Sequence, residues 1–255
     1  MWLWLFARTF RIPLQTGNSV ALFLTAWLIY LGDRLADTAS LKMGNLQSLR
    51  QQFCGRHREI WFILVALVAG LDGYVIYRTT ALETLVIGVV VGGLALVYLV
   101  LNHPLGLIWH SLPAKELMIG ILFAAGTLVA LLPPPSTVPT GFVIAALFFA
   151  ALCALNCISI ACWESCLDSA QGKVSIATRH PRVARHAGGI ALVVGISSFA
   201  MATIFRIAAP LLGGSGASAV WLAGLNARPV AVDRRTALAD LVLLTPIVPL
   251  IATAL

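Results

Sequence analysis

The chain has 255 residues, of which 60% are hydrophobic and 11% charged, with a mean hydropathy of +0.93 and a formal net charge of +7. A soluble domain carries about 25% charged residues, so this composition excludes a soluble globular enzyme and points to an integral membrane protein. The positive balance does not mark a nucleic-acid binder, because the basic residues sit in short connections between apolar runs and form no stripe.

The N-terminal stretch "MWLWLFARTFRIPLQTG" places apolar residues ahead of Arg8 and Arg11 and offers no small-residue cleavage site, so it does not read as a signal peptide. Residues 1–15 are expected to form an interfacial or half-inserted helix anchored by Trp2 and Trp4. Apolar runs then predict eight membrane-spanning helices, at 16–36, 59–78, 82–102, 115–132, 141–165, 187–205, 208–226 and 236–255. The ten-residue alternating strands of a membrane barrel are absent. The expected fold is therefore an all-α membrane bundle forming a single transmembrane domain over 1–255.

When span ends are counted with their loops, all of the 17 Lys and Arg residues except Arg8, Arg11, Arg78 and Arg206 fall on one side. By the positive-inside rule that side is expected to be cytoplasmic, with "LLPPPSTVPT" outside, in a multi-pass protein of the plasma (inner) membrane. Two cytoplasmic connections are long. Residues 38–58 place Leu41, Leu46, Leu49 and Phe53 loosely on one side of a surface helix that would cover a cavity mouth, and residues 169–186 are basic.

The first span ends in "DRLAD", with Asp33 and Asp37, and the fifth ends in "ESCLD", with Glu164 and Asp168. A helix C-terminus is the negative end of the helix dipole, and like charges four residues apart repel, so both pairs need positive partners. Two readings stand here. Either Arg34 and loop arginines form exposed ion pairs with the acids, worth about 0–1 kcal/mol each, or the pairs are two halves of one site for a hard cation. Oxygen ligands at this density suit Mg²⁺, which keeps waters and shares its shell with substrate phosphates. Lys115, Arg50, Arg179, Arg182 and Arg185 lie on the same side, as phosphate ligands or as topology determinants. Lys115 opens a span just after Pro113 and would point along the bundle.

Asn156 lies two turns deeper than Glu164, about 80° around the helix, as a polar ligand or an interhelical hydrogen-bonding group. Asp72, inside the second span, is expected to make a structural hydrogen bond. Cys153, Cys157, Cys162 and Cys166 are expected to pack between helices and form no disulfide, since no CxxC pair or neighbouring histidine accompanies them.

On these residues the chain resembles the UbiA superfamily of intramembrane prenyltransferases. "DRLAD" resembles the latter part of that family's first motif, Asn-Asp-x-x-Asp-x-x-x-Asp, "ESCLD" its second, Asp-x-x-x-Asp, and "PAKELMIGILFAAG" the lysine–glycine segment between them. The order of elements fits over nearly the whole chain if residues 1–15 stand for a shortened first span. The chain departs from the pattern at Ile29 and Tyr30, which replace Asn and the first Asp, and at Glu164, which replaces an aspartate.

The resemblance implies a bundle of nine spans, here the eight predicted spans after a shortened first, in which Asp33, Asp37, Glu164 and Asp168 hold Mg²⁺ and a polyprenyl diphosphate. Lys115, Asn156, Tyr30, Arg34, Arg50, Arg182 and Arg185 would line the donor site, and the prenyl group would pass to an acceptor within the apolar bundle. The alternative is a non-catalytic member that binds an isoprenoid lipid or a partner. A small transporter is disfavoured, because charges are nearly absent from the span centres.

Overall fold

The computed structural model describes residues 1–39, 49–102, 115–131, 138–172, 174–228 and 231–252. All regular structure among the described residues is helical: α1 (Trp2–Phe10), α2 (Thr16–Ala39), α3 (Leu49–Arg56), α4 (Arg58–Thr79), α5 (Leu82–Asn102), α6 (Lys115–Leu128), α7 (Thr140–Trp163), α8 (Ser165–Ala170), α9 (Ile176–Arg179), α10 (Pro181–Ile204), α11 (Ala209–Ala227), α12 (Val232–Val242) and α13 (Ile247–Ala252). Among the described residues six helical stretches are long and apolar enough to cross a membrane: Thr16–Ala36, Arg58–Thr79, Leu82–Val100, Thr140–Trp163, Pro181–Ile204 and Arg206–Ala227. These coincide with the first, second, third, fifth, sixth and seventh expected spans. The protein is an all-helical, membrane-embedded bundle.

The other two expected spans take different forms. The fourth is α6 followed by a 3-10 turn over Val129–Leu131. The eighth breaks between α12 and α13, and its sequence contains the cause. Pro246 has no N–H to donate to the carbonyl of Val242, so a helix cannot continue through it. The freed carbonyls find other donors: Ser218 Oγ donates to Val242 O at 3.0 Å, and Trp2 Nε1 donates to Leu243 O at 2.9 Å. The sixth span starts six residues earlier than expected, because Pro181 occupies the first helical turn, where its missing N–H costs nothing. Residues 181–186 of the expected basic loop are therefore helical.

α7 is the central helix, packing against α6, α10, α11 and α12. Its approach to α6 is closest at Gly120, where an added Cβ would lie 2.4 Å from the backbone nitrogen of Ala154, so only glycine permits this spacing. α10 and α11 run antiparallel, Gly188 facing Asn226 and Gly195 facing Gly216. α1 does not lie along the surface. Trp2, Leu3, Leu5, Phe6 and Ala7 are buried, and Trp2 stacks on Phe149 of α7 at 4.6 Å between ring centroids. Phe6 packs edge-on against Phe142 at 5.5 Å, so α1 plugs one end of the bundle. α2 and α4 form a second packed pair around Leu24, Leu31 and Val68. Within it Thr25 Oγ1 donates to Asp72 Oδ2 at 2.7 Å, which is the structural hydrogen bond expected for Asp72.

Candidate functional site: two acidic helix ends

The first acidic end forms the last turns of α2. One turn apart on that helix, the Arg34 guanidinium lies over the ring of Tyr30, 5.0 Å from its centroid, a cation–π contact. Asp33 and Arg34 both take part in further polar or electrostatic interactions. α3 lies alongside: an added Cβ on Gly55 would come within 3.5 Å of Thr38 Cγ2, an ordinary contact. Next to it Cys54 is buried, and burial pushes its thiol pKa up while the Arg34 charge pulls it down. Of the residues expected on the apolar face of this segment, Phe53 alone has a described side chain, and it does not face inward. Cys54 packs inward, whereas Phe53 is 58% exposed and packs sideways on His57 and Trp61. Leu41 and Leu46 lie outside the described residues, as do the side chains of Asp37, Leu49 and Arg50.

The second acidic end departs from a simple helix terminus. α7 stops at Trp163, and Glu164 is both its C-cap and the N-cap of the six-residue α8 that carries Asp168. The helical spacing survives the joint, since the Asp168 N–H donates to Glu164 O at 2.9 Å. α8 then closes at Gly172, whose φ of +68° is a left-handed conformation that favours glycine. Glu164 and Asp168 are half-buried and engaged in polar or electrostatic interactions.

A reciprocal amide pair joins the two ends. Gln171 Nε2 donates to Gln51 Oε1 at 2.9 Å, and Gln51 Nε2 donates to Gln171 Oε1 at 3.4 Å. Gln51, Cys54 and Gly55 share one face of α3, so this short helix contacts the end of α2 and the segment just beyond Asp168. Residues 120 positions apart in sequence thus connect the two acidic motifs at one end of the bundle.

Lys115 begins α6, as its position after Pro113 predicts, and is half-buried. The residue beside it, absent from the sequence-based candidates, is the more constrained. Glu116 is 3% exposed, and its Oε1 accepts the Ile176 N–H at 3.0 Å, meeting the first amide of α9. Ser175 and Thr178 complete that turn as a capping box. Glu116 therefore pins the segment after Asp168 onto the lysine-bearing helix. Its sequence signal was an acid in the first turn of a helix, which reads as ordinary dipole compensation. α6 and α12 both pack against α7.

Asn156 is buried, and its Oδ1 has no hydrogen-bond partner among the described residues. The interhelical polar link forms one turn further on, where Asn226 Nδ2 donates to Ser159 Oγ at 3.0 Å and Trp163 Nε1 donates to Asn226 Oδ1 at 3.1 Å. Arg182 and Arg185 are exposed on α10, and Arg185 lines a groove between α10 and α11. The five cysteines are free thiols.

Among the described residues no three His, Cys, Asp or Glu side chains gather as a metal centre. Magnesium does not require three, because it is held by one or two carboxylates with the remaining positions filled by water and substrate phosphate. Half-buried carboxylates of Asp33, Glu164 and Asp168 at one end of the bundle have the hard-oxygen chemistry for that mode. The chain matches no family model, no curated protein and no solved structure.

Proposed function

We propose that the protein is an intramembrane prenyltransferase that moves a prenyl group from a polyprenyl diphosphate to an acceptor, with the acidic end facing the cytoplasm of the plasma (inner) membrane. The observation that carries this reading is the Gln51–Gln171 pair, which unites two equally spaced acidic helix ends on one short helix. Bound Mg²⁺ would supply positive charge against the diphosphate, held by Asp33, Asp37, Glu164 and Asp168. Lys115 would add a cation to that site from the start of α6, whose Glu116 holds the Ile176 N–H. Transfer breaks the C1–oxygen bond of the donor, the electron pair leaving with the diphosphate, and joins C1 to the acceptor, which gives up a proton. The apolar faces of the spans shield the allylic cation from water.

The decisive measurement incubates the purified protein with labelled prenyl diphosphates and a panel of acceptors, with and without Mg²⁺. The expected result is Mg²⁺-dependent diphosphate release that Asp33→Asn and Asp168→Asn abolish. No release from any donor, together with donor binding indifferent to Mg²⁺, would refute it.

A second reading, a non-catalytic isoprenoid-binding protein, is favoured by one observation. Where the resembling family has another aspartate this chain has Tyr30, covered by the Arg34 guanidinium. That arrangement attracts an anion without adding a metal ligand. Under it, Mg²⁺-independent donor binding without turnover is expected.

A further inference from the structure

The groove between α10 and α11 has a volume of about 570 Å³ and is lined by residues including Arg185, Gly188, Gly189, Leu192, Val220 and Gly224. It lies on the outer face of two spans, with Leu192 44% and Val220 39% exposed. Its polarity is graded. Arg185 stands one turn into α10 at one end, while Leu192 lies about 10 Å further along the helix axis among apolar neighbours.

The lining contains no acid, and Asn226, its other hydrogen-bonding side chain, is engaged with Ser159 and Trp163. Arg228 caps α11 at the same end and is exposed, so the mouth is cationic. The walls are kept low by glycine. A Cβ on Gly189 or Gly224 would meet nothing within 4 Å, so contacts within the chain do not explain the glycines there. Glycine inside a helix costs about 1 kcal/mol relative to alanine. Gly195, deeper in the same helix pair, is explained by close approach, since its Cβ would lie 2.8 Å from Val220 Cγ2.

We infer that this groove is a binding site for an anionic glycerophospholipid, with its phosphodiester at Arg185 and an acyl chain running over Gly189 and Gly224 toward Leu192 and Val220. An apolar trough that opens to lipid and ends in an arginine, with no acid in its lining, complements an amphipathic anion oriented along the helix axis. Basic pockets between membrane helices recognise phospholipid headgroups in this way.

The test is native mass spectrometry of the full chain released from detergent, titrated with phosphatidylglycerol and with phosphatidylcholine. Wild type is expected to retain phosphatidylglycerol preferentially. Arg185→Gln should reduce that preference about fivefold, the effect of one interfacial cation, while phosphatidylcholine binding stays unchanged. Gly189→Leu with Gly224→Leu, which adds side chains where space is open, should abolish retention of both lipids. If that double variant fails to elute as a helical, monodisperse species, Arg185→Gln decides alone. Equal retention of the two lipids by wild type, or a preference that survives Arg185→Gln, overturns the proposal. So does competition by millimolar inorganic phosphate equal to that by lipid, which would make the site one for a free anion. A change in oligomer mass in the filled-groove variant would instead assign the groove to a second copy of the chain, and also overturns it.

Discussion

If α3 joins the two acidic ends, Gln51 and Gln171 must be energetically coupled, and a double-mutant cycle measures that coupling directly. The pair comprises one hydrogen bond at 2.9 Å and one at 3.4 Å, both partly buried. A well-formed intramolecular hydrogen bond contributes about 0.5–1.5 kcal/mol net, and the longer bond belongs at the bottom of that range. The coupling should therefore be about 1–1.5 kcal/mol. Each single alanine variant leaves a partner amide unsatisfied in a half-buried setting, so the singles should cost more than their share and the double variant less than their sum. The assay is reversible unfolding in mixed micelles, followed by helical circular dichroism, for wild type, Gln51→Ala, Gln171→Ala and the double variant. Distant sites add to within about 0.3–0.5 kcal/mol, so a coupling below that limit would mean the segments are not in contact. The union of the acidic ends would then lose its support, whatever the assays of prenyl transfer report.

Three other outcomes are expected. Glu116→Ala strands the partly buried Ile176 N–H at a cost of about 1 kcal/mol, so trypsin should cut faster after Arg179, whereas Glu116→Gln, which keeps an oxygen acceptor, should protect it; equal cutting in all three proteins would exclude the pin. Gly120→Ala forces a Cβ to 2.4 Å from the Ala154 nitrogen and should lower stability by about 1–3 kcal/mol, while Gly224→Ala, in open space, should be neutral or stabilising; the reverse order in thermal unfolding would refute the α6–α7 packing. For Cys54, burial raises the thiol pKa, so the thiolate is scarce at neutral pH and maleimide labelling should rise with pH to a midpoint above the free-thiol value of about 8.5; Arg34→Gln removes the lowering charge and should move the midpoint higher, and a midpoint at or below the free-thiol value would contradict the buried setting.

Six spans were legible because each is a predominantly apolar run close to the roughly 20 residues that cross a bilayer. The break in the eighth was not legible because hydropathy averages over Pro246 without registering that one proline removes a single required N–H. The role of α1 was hidden for a related reason. An apolar amphipathic helix has the same pattern whether its face meets lipid or other helices, and only the bundle shows that Trp2 stacks on Phe149 and satisfies a broken helix 241 residues away. At the candidate site the acids and Lys115 stood out as charges in an apolar context. Gln51, Gln171 and Glu116, which hold that end together, did not, because polar side chains in loops and first turns are ordinary there and their partners are distant in sequence.

The three connecting residues share a consequence for how the acidic end operates. Carboxylates four apart at a helix C-terminus repel each other and the helix dipole, so without support the two ends would separate or recruit arginines individually. Here the Gln51 amide on α3, paired with Gln171, and a buried glutamate on α6 fix the backbone that follows Asp168. A site held together by its ligand must be ordered at each binding event and loses affinity to that ordering, whereas a site joined by amides does not. Under the proposed prenyl transfer, with Tyr30 where the resembling family has a further carboxylate, a preformed arrangement would matter more, because fewer fixed charges would remain to draw a cation in before the diphosphate arrives.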